Sequence, residues 1–271
     1  VTPSGAGGAS PVTSVSAFFP CYNDAATIAK MVLDVDRALA THLVDYEIIV
    51  VDDGSTDDSA RVLDELALRT SHLVVIHHER NRGYGGALIT GFGAATKEWI
   101  FYTDGDGQYD ATEAPLLLHA ASADSDVVQG WKIARGDAWY RKVIGRVYHH
   151  TVRTMFRLHV RDTDCDFRLF RRVLVVDPPL TSTSGVICVE MMRRFERAGA
   201  RFVEVPVHHY FRPAGRSQFF RIPAIARSAR QLLRLWWRLM IRRDEPPRTS
   251  LVATRAISPP PPRPASARRP A

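Results

Sequence analysis

Three aspartates, Asp104, Asp106 and Asp110, stand within the octapeptide TDGDGQYD, spaced by glycines and preceded by the apolar run WIFY. Carboxylates that close repel one another, so a folded chain keeps them together only with a compensating partner: a metal, a run of arginines, or water. Hard cations such as Mg²⁺ and Mn²⁺ take carboxylate oxygens together with the oxygens of a ligand's phosphates. Asp104 and Asp106, with Gln108, are therefore candidates to hold such a metal against a diphosphate, and a solvated turn is the competing reading. Asp110 is expected to cap a helix beginning near Thr112. A second cluster, DDGSTDDS, follows the run EIIVV. Asp52 or Asp53 can accept hydrogen bonds from a nucleobase N–H or ribose hydroxyls there, or the segment is a turn capped by Ser55 or Thr56. A third, NRGYGGAL, places Gly83, Gly85 and Gly86 before a helical stretch, where glycine lets backbone approach a phosphate with Arg80 or Arg82 nearby. It lacks the GxGxxG spacing and does not follow the first strand, which argues against a dinucleotide site.

These motifs need elements to bring them together. Apolar runs at SVSAFFP, EIIVV, LVVIHHE, EWIFYTD and DVVQGW alternate with helical periodicity, in units of roughly 25 residues. The first helix is expected over 23–40, capped by Asn23 or Asp24. This alternation predicts a mostly parallel sheet with helices on both faces. Ligands of such sheets bind beyond the carboxyl ends of the strands, and PCYND, DDGSTDDS, RNRGYGG and TDGDGQ all fall there. Further on, the pattern predicts a long basic helix over 139–158, a helix over 185–199 and a strand over 201–211.

The chain of 271 residues has a formal net charge of +7, with the excess near its C-terminus, which points to an anionic partner. Its three cysteines show no disulfide framework or zinc spacing, which suits a reducing compartment. Residues 1–13 read as a flexible leader without the apolar core of a signal peptide, and 244–271 as a disordered Pro/Arg-rich tail. No window of about twenty residues is apolar enough to span a bilayer. Between them, 221–243 reads as an amphipathic helix. Arg227, Arg230, Arg234, Arg238 and Arg242 share one face, and Ile225, Ala229, Leu232, Leu235, Trp236, Leu239 and Met240 the other. That is the pattern of a helix lying on an anionic membrane surface, and equally of one packed on its own domain. No nucleic-acid motif accompanies it. The histidine pairs 77–78, 149–150 and 208–209 alternate faces on extended backbone and are expected to make single contacts rather than chelate a metal.

In this order and spacing, FFPCYND, VVDDGSTDDS, NRGYGGAL and TDGDGQ resemble glycosyltransferase family 2, over residues 15 to about 220. The resemblance implies a GT-A fold over 14–220 and inverting transfer from a nucleotide-diphospho-sugar. GWKIARGDAWYRK, DTDCDFRLFRR and the segment from Val189 to Phe219 are similar to the dolichol-phosphate mannosyltransferase-like branch, which loads a sugar onto polyprenyl phosphate. That likeness implies a donor site at Pro20, Tyr22, Asp24, Asp52, Asp53, Gly85, Asp104, Gln108, Arg212 and Ser217. It implies Mg²⁺ or Mn²⁺ on Asp104, Asp106 and Gln108, and an acceptor phosphate on Lys132, Arg141 and Arg168, with Asp104, Asp106, Arg141 and Arg168 in the chemistry. Attachment is then expected to be peripheral, on the cytoplasmic face. A phosphate monoester has a second pKa of about 6 and needs cations rather than a general base, whereas a hydroxyl acceptor needs a base. Glu190 lies near where hydroxyl-using relatives keep a carboxylate, and pairing with Arg193 or Arg194 along one helix is the reading favoured for it. Cys165–Asp166–Phe167 stands where the branch carries C-G-F, and Gly130–Trp131–Lys132 where it often carries Gly-Ser-Arg. The alternatives are a hydroxyl acceptor on the same fold, a non-catalytic nucleotide-sugar or membrane module, and a nucleotidyltransferase.

Overall fold

The computed structural model describes residues 12–43, 45–133, 139–163, 165–177, 179–212 and 222–243. Strands β1 (Ser14–Cys21), β2 (Asp45–Asp52), β3 (Leu73–His77) and β4 (Trp99–Thr103) alternate with helices α1 (Ile28–Ala40), α2 (Ser59–Ala67) and α3 (Tyr84–Ala94). Then come α4 (Ala114–Ala120), β5 (Val127–Ile133), α5 (Trp139–Phe156), β6 (Phe167–Arg171), the short α6 (Val173–Val176), α7 (Val186–Arg197), β7 (Phe202–His208) and α8 (Ile222–Trp236). A π-helical turn, Trp237–Ile241, continues α8.

The strands form one seven-stranded sheet in the order β3-β2-β1-β4-β6-β5-β7. β1 pairs parallel with β2 and β4, β2 with β3, and β5 with β7, while β6 runs antiparallel to both neighbours. This is the predicted α/β architecture, with one strand the periodicity does not reveal. FRLFR is buried along its whole length, arginines included, and an arginine at every third position hides a core strand from any hydropathy pattern. Since β6 is antiparallel to both, β5 runs the same way as β4, so their carboxyl ends share one edge.

Alternation along the strands divides the core. Val15, Ala17 and Phe19 face α1, α2 and α4, while Phe18, Ile49 and Val51 face α3, α7 and α8. Each of the valine, isoleucine and phenylalanine side chains among them, fully buried, contributes about 1.5–3 kcal/mol. Several expected boundaries move. α1 begins at Ile28 rather than near residue 23, because Asn23 holds a left-handed φ of 58° and the chain turns before it coils. β7 ends at His208 and β5 runs on to Ile133. Asp110 does accept the Thr112 N–H at 2.9 Å, capping the 3₁₀ turn Ala111–Glu113.

The helix over 221–243 departs further from its reading. Leu232, Leu235 and Leu239 are buried in the core beside α7, with Trp236 and Met240 packed against it. The apolar face assigned to a membrane therefore covers the domain itself. Among the described residues no helix is long and apolar enough to cross a membrane. Cys21, Cys165 and Cys188 are free and buried, and burial pushes the Cys21 and Cys165 thiols up to about 12. The expected tail lies outside the described residues, and so does the expected leader apart from Val12 and Thr13.

Candidate active site

Loops at the carboxyl ends of β1, β2 and β4 are tied into one surface. After β1, the Asn23 side chain accepts from the Thr56 N–H at 2.8 Å, and its own N–H donates to the Ser55 hydroxyl. Asn23 is one of the few residue types that hold a left-handed φ at little cost, and this conformation aims it at the next loop. Thr27 donates to the Gly105 carbonyl at 2.8 Å, joining the start of α1 to the loop after β4. In the loop after β2, Asp52 accepts from the Ser55 N–H and contacts His77 at 2.9 Å. Asp53 accepts from the Arg82 N–H and contacts His78 at 2.6 Å. Both carboxylates are buried. Each histidine of the 77–78 pair thus holds a different aspartate, which fits the face alternation expected of them.

Four carboxylates converge beyond β4. Asp104 accepts from the Tyr84 hydroxyl at 2.8 Å, and Tyr84 in turn hydrogen-bonds Tyr102. Asp106 is buried and accepts from the Gln108 N–H at 3.0 Å. Asp24 is gripped by Arg212 at 2.8 Å, and the same guanidinium lies 3.6 Å from Asp106. Arg212 reaches this place because the chain after β7 folds back on the β4 loop. There Tyr109 and His209 form an antiparallel bridge, and the Tyr210 N–H donates to the Gln108 carbonyl. The fourth carboxylate is Asp166, 3.3 Å from Arg168 and the acceptor of the Cys188 thiol.

Crowding shows in the protonation of this cluster. Burial, then the charges of Asp166 and Asp106, push Asp104 well above the usual carboxylate range. Burial also raises Asp106 and Asp24, against the opposing pull of Arg212. A set of hard oxygen ligands that resists ionising together is one that a divalent cation would relieve. Asp104 and Asp106 fit that role. Among the described residues no three or more His, Cys, Asp and Glu side chains form a ready-made metal site, so the remaining ligands would come from the diphosphate and water. Gln108 stands at the cluster through its backbone, and its side-chain amide donates to the Tyr210 carbonyl at 3.3 Å.

The basic residues expected at the acceptor separate. Lys132, at the carboxyl end of β5, lines a cavity of about 280 Å³ with Trp131, Arg146, His149, Arg161 and Asp162. Arg161 stacks on the Trp131 ring at 4.6 Å. Arg168 lies instead in the core, fully buried, donating to Gln129 and to the Thr163 carbonyl at 2.8 Å each. In this arrangement Arg168 has no surface to offer an acceptor phosphate, and its exposed-side neighbour is Asp166. Arg141 belongs to the first turn of α5, and its side chain lies outside the described residues, as does Ser217.

Of two further expectations, one changes and one stands. Gly85 was expected to face the donor, but its N–H donates to the Thr183 carbonyl, and an added Cβ would meet the Ser182 oxygen at 2.2 Å. Its missing side chain serves close packing of α3 against the segment before α7. Glu190 is fully buried, paired with Arg194 at 2.7 Å and Arg238 at 3.1 Å, and accepts from Ser182 and Thr181. The structural reading of Glu190 holds. Pro20 is buried and Tyr22 partly exposed at the end of β1. Tyr84 is a site residue that sequence reasoning missed; the aromatic inside NRGYGG, an otherwise glycine-rich turn, was its only signal.

Comparison with known proteins agrees with this geometry. The model of the family described as glycosyl transferase family 2 matches residues 16–177, well over half of the chain. Solved structures of glucosyl-3-phosphoglycerate synthase from Mycobacterium tuberculosis share the fold. One, in complex with Mn²⁺ and UDP-glucose, is 21% identical at a TM-score of 0.63, over 83% of this chain and 79% of that one. Another, in complex with phosphoglyceric acid, is 20% identical at 0.62, over 84% and 87%. A third holds Mn²⁺, UDP and glucosyl-3-phosphoglycerate, at 21% identity and 0.62, over 83% and 79%.

Proposed function

The chain belongs to glycosyltransferase family 2, and from that premise we propose that it moves a sugar from a nucleotide-diphospho-sugar to a hydroxyl of a phosphate-bearing acceptor. Asp104 and Asp106 would hold a divalent cation such as Mn²⁺ or Mg²⁺ beside the donor diphosphate. The metal, when bound, supplies charge neutralisation for the departing diphosphate. Asp52 and Asp53, fixed by His77 and His78, orient the nucleoside, and Pro20 and Tyr22 wall it. Arg212, held between Asp24 and Asp106 at the edge of the cluster, would meet the donor's phosphates.

The observation that carries the hydroxyl acceptor is Asp166, a carboxylate close enough to Asp104 to raise its pKa and anchored by Arg168. A base placed beside the metal-binding pair takes the acceptor's O–H proton as the acceptor oxygen bonds the anomeric carbon and the bond to the diphosphate breaks. The basic wall of Lys132, Arg146 and Arg161 receives the acceptor's own phosphate. The neighbouring synthases, whose acceptor is phosphoglyceric acid, support a small anionic acceptor of this kind.

A second reading keeps the dolichol-phosphate mannosyltransferase-like branch, with polyprenyl phosphate as acceptor and no base. It is favoured by DTDCDFRLFRR and by the same basic wall. The experiment is a panel of labelled nucleotide sugars with Mn²⁺, offered phosphoglycerate or polyprenyl phosphate. Label in an aqueous, phosphate-bearing product with release of nucleoside diphosphate supports the first reading. Organic-extractable, acid-labile label on the lipid arm alone would replace it with the second.

A further inference from the structure

α7 connects two unlike places. Its N-terminal end adjoins Thr183 and Gly85 at the catalytic edge. Its last turns, about 18 Å away by helical rise, border a second cavity of about 770 Å³ between the end of α5 and the C-terminal helix. Four arginines line it, Arg157, Arg193, Arg197 and Arg243, against one carboxylate, Glu196. That carboxylate is engaged by His159, accepting its backbone N–H at 2.6 Å. The Arg193 Nε is buried without a hydrogen-bond partner among the described residues. Arg157 and Arg243 both sit at left-handed φ, 54° and 53°, the rare conformation that brings them to this cavity. Guanidinium groups gathered at one concavity with so little opposing charge make a site for phosphate.

The wall of the cavity is apolar. Trp236 satisfies its indole N–H on the Met155 carbonyl at 3.0 Å and leaves its ring beside Leu239, Met240 and Ile241. Ile241 also closes a stripe on the outer face of the same helix, Leu233, Trp237 and Ile241, exposed by 57%, 53% and 48%. These residues lie at four-residue spacings on one face, flanked by the exposed Arg230 and Arg234. The domain covers the other apolar face, so this stripe is a different surface from the one the sequence pattern selects.

We propose that the cavity is a headgroup site for an anionic phospholipid. Arg157, Arg193 and Arg243 take the phosphate, and Leu233, Trp237 and Ile241 enter the boundary between headgroups and acyl chains, attaching the protein peripherally. The charge complementarity selects an anionic lipid, and an exposed stripe sharing Ile241 with the cavity selects a bilayer over a soluble phosphate. The proposal does not depend on which acceptor the catalytic edge takes.

Flotation of the full chain with vesicles of phosphatidylcholine, with or without phosphatidylglycerol, tests it. The unaltered protein should float with the anionic vesicles and stay behind with the neutral ones. The double variant Arg157→Gln, Arg193→Gln should lower the anionic partition by about tenfold or more. Trp237→Ala, on an exposed side chain that folding does not need, should lower it several-fold. Arg37→Gln with Arg69→Gln removes the same net charge elsewhere and should change little. Three results would overturn the proposal: no flotation with anionic vesicles, an equal loss in the Arg37/Arg69 control, or inorganic phosphate bound at the cavity arginines by a protein that ignores vesicles.

Discussion

The loops that follow β1, β2 and β4 and the helices that follow β6 are built on opposite electrostatic principles. In the first region carboxylates are crowded together and every loop is clamped to the next, Asn23 to Thr56, Thr27 to Gly105, Asp52 to His77. In the second, arginines gather with few carboxylates among the described residues, and the buried Glu190 is enclosed by Arg194 and Arg238. A surplus of negative charge held rigidly is suited to a cation and the diphosphate it carries. A surplus of positive charge on helix faces is suited to phosphates that come and go. On the proposed reading one sheet carries a metal-dependent donor side and a phosphate-binding side, with Asp166 assigned to the donor side as the base.

The sharpest break of this contrast is Asp106→Ala. Sugar transfer should fall by about 10³-fold, with the fold retained by circular dichroism. Near-normal turnover would mean the acidic side is not the donor side. Next is Asp166→Asn, which should cut kcat on a hydroxyl acceptor by about 10²-fold with KM nearly unchanged. An unaltered kcat would remove the base from the donor side and favour the lipid phosphate. Gly85→Ala tests the seam between the two regions. A side chain there collides with the Ser182 backbone, so stability should drop by about 1–3 kcal/mol in a denaturant titration. A glycine needed only for a phosphate would leave stability intact and weaken donor binding. The smallest effect is expected from Lys132→Ala, which should raise the acceptor KM by about tenfold and leave donor binding alone.

The acidic region was largely legible in the sequence. A strand-and-turn pattern puts polar motifs at one edge of a parallel sheet, and Asp24, Asp52, Asp53, Asp104 and Asp106 do gather there. The basic region was not. Arg168 looked like a phosphate ligand, but it lies inside β6, a strand whose arginines are paired in the core and so invisible to hydropathy. Periodicity also showed that residues 221–243 have two faces without showing that α7 covers one of them. Leu233, Trp237 and Ile241, outside the apolar face drawn from the wheel, are the ones left exposed. Gly85 failed for a related reason: a glycine's neighbour may be a ligand or another backbone, and only the tertiary structure shows the Thr183 segment.

The acidic side also has a proton signature. Asp24, Asp104 and Asp106 have raised pKa values in the folded chain, so the metal-free fold binds more protons than the unfolded chain does. Their contribution to stability is present below the ordinary aspartate value of 3.8 and is lost as pH rises through the raised values. Binding a divalent cation needs those protons off, so metal affinity rises over the same window. Mn²⁺ binding followed by electron paramagnetic resonance, with and without UDP, across that window and in Asp106→Ala, is the direct test. The donor-side assignment predicts one Mn²⁺ taken up with the nucleotide, more tightly as pH rises, and lost in the variant. Mn²⁺ uptake that ignores the nucleotide, or that survives in Asp106→Ala, would contradict it.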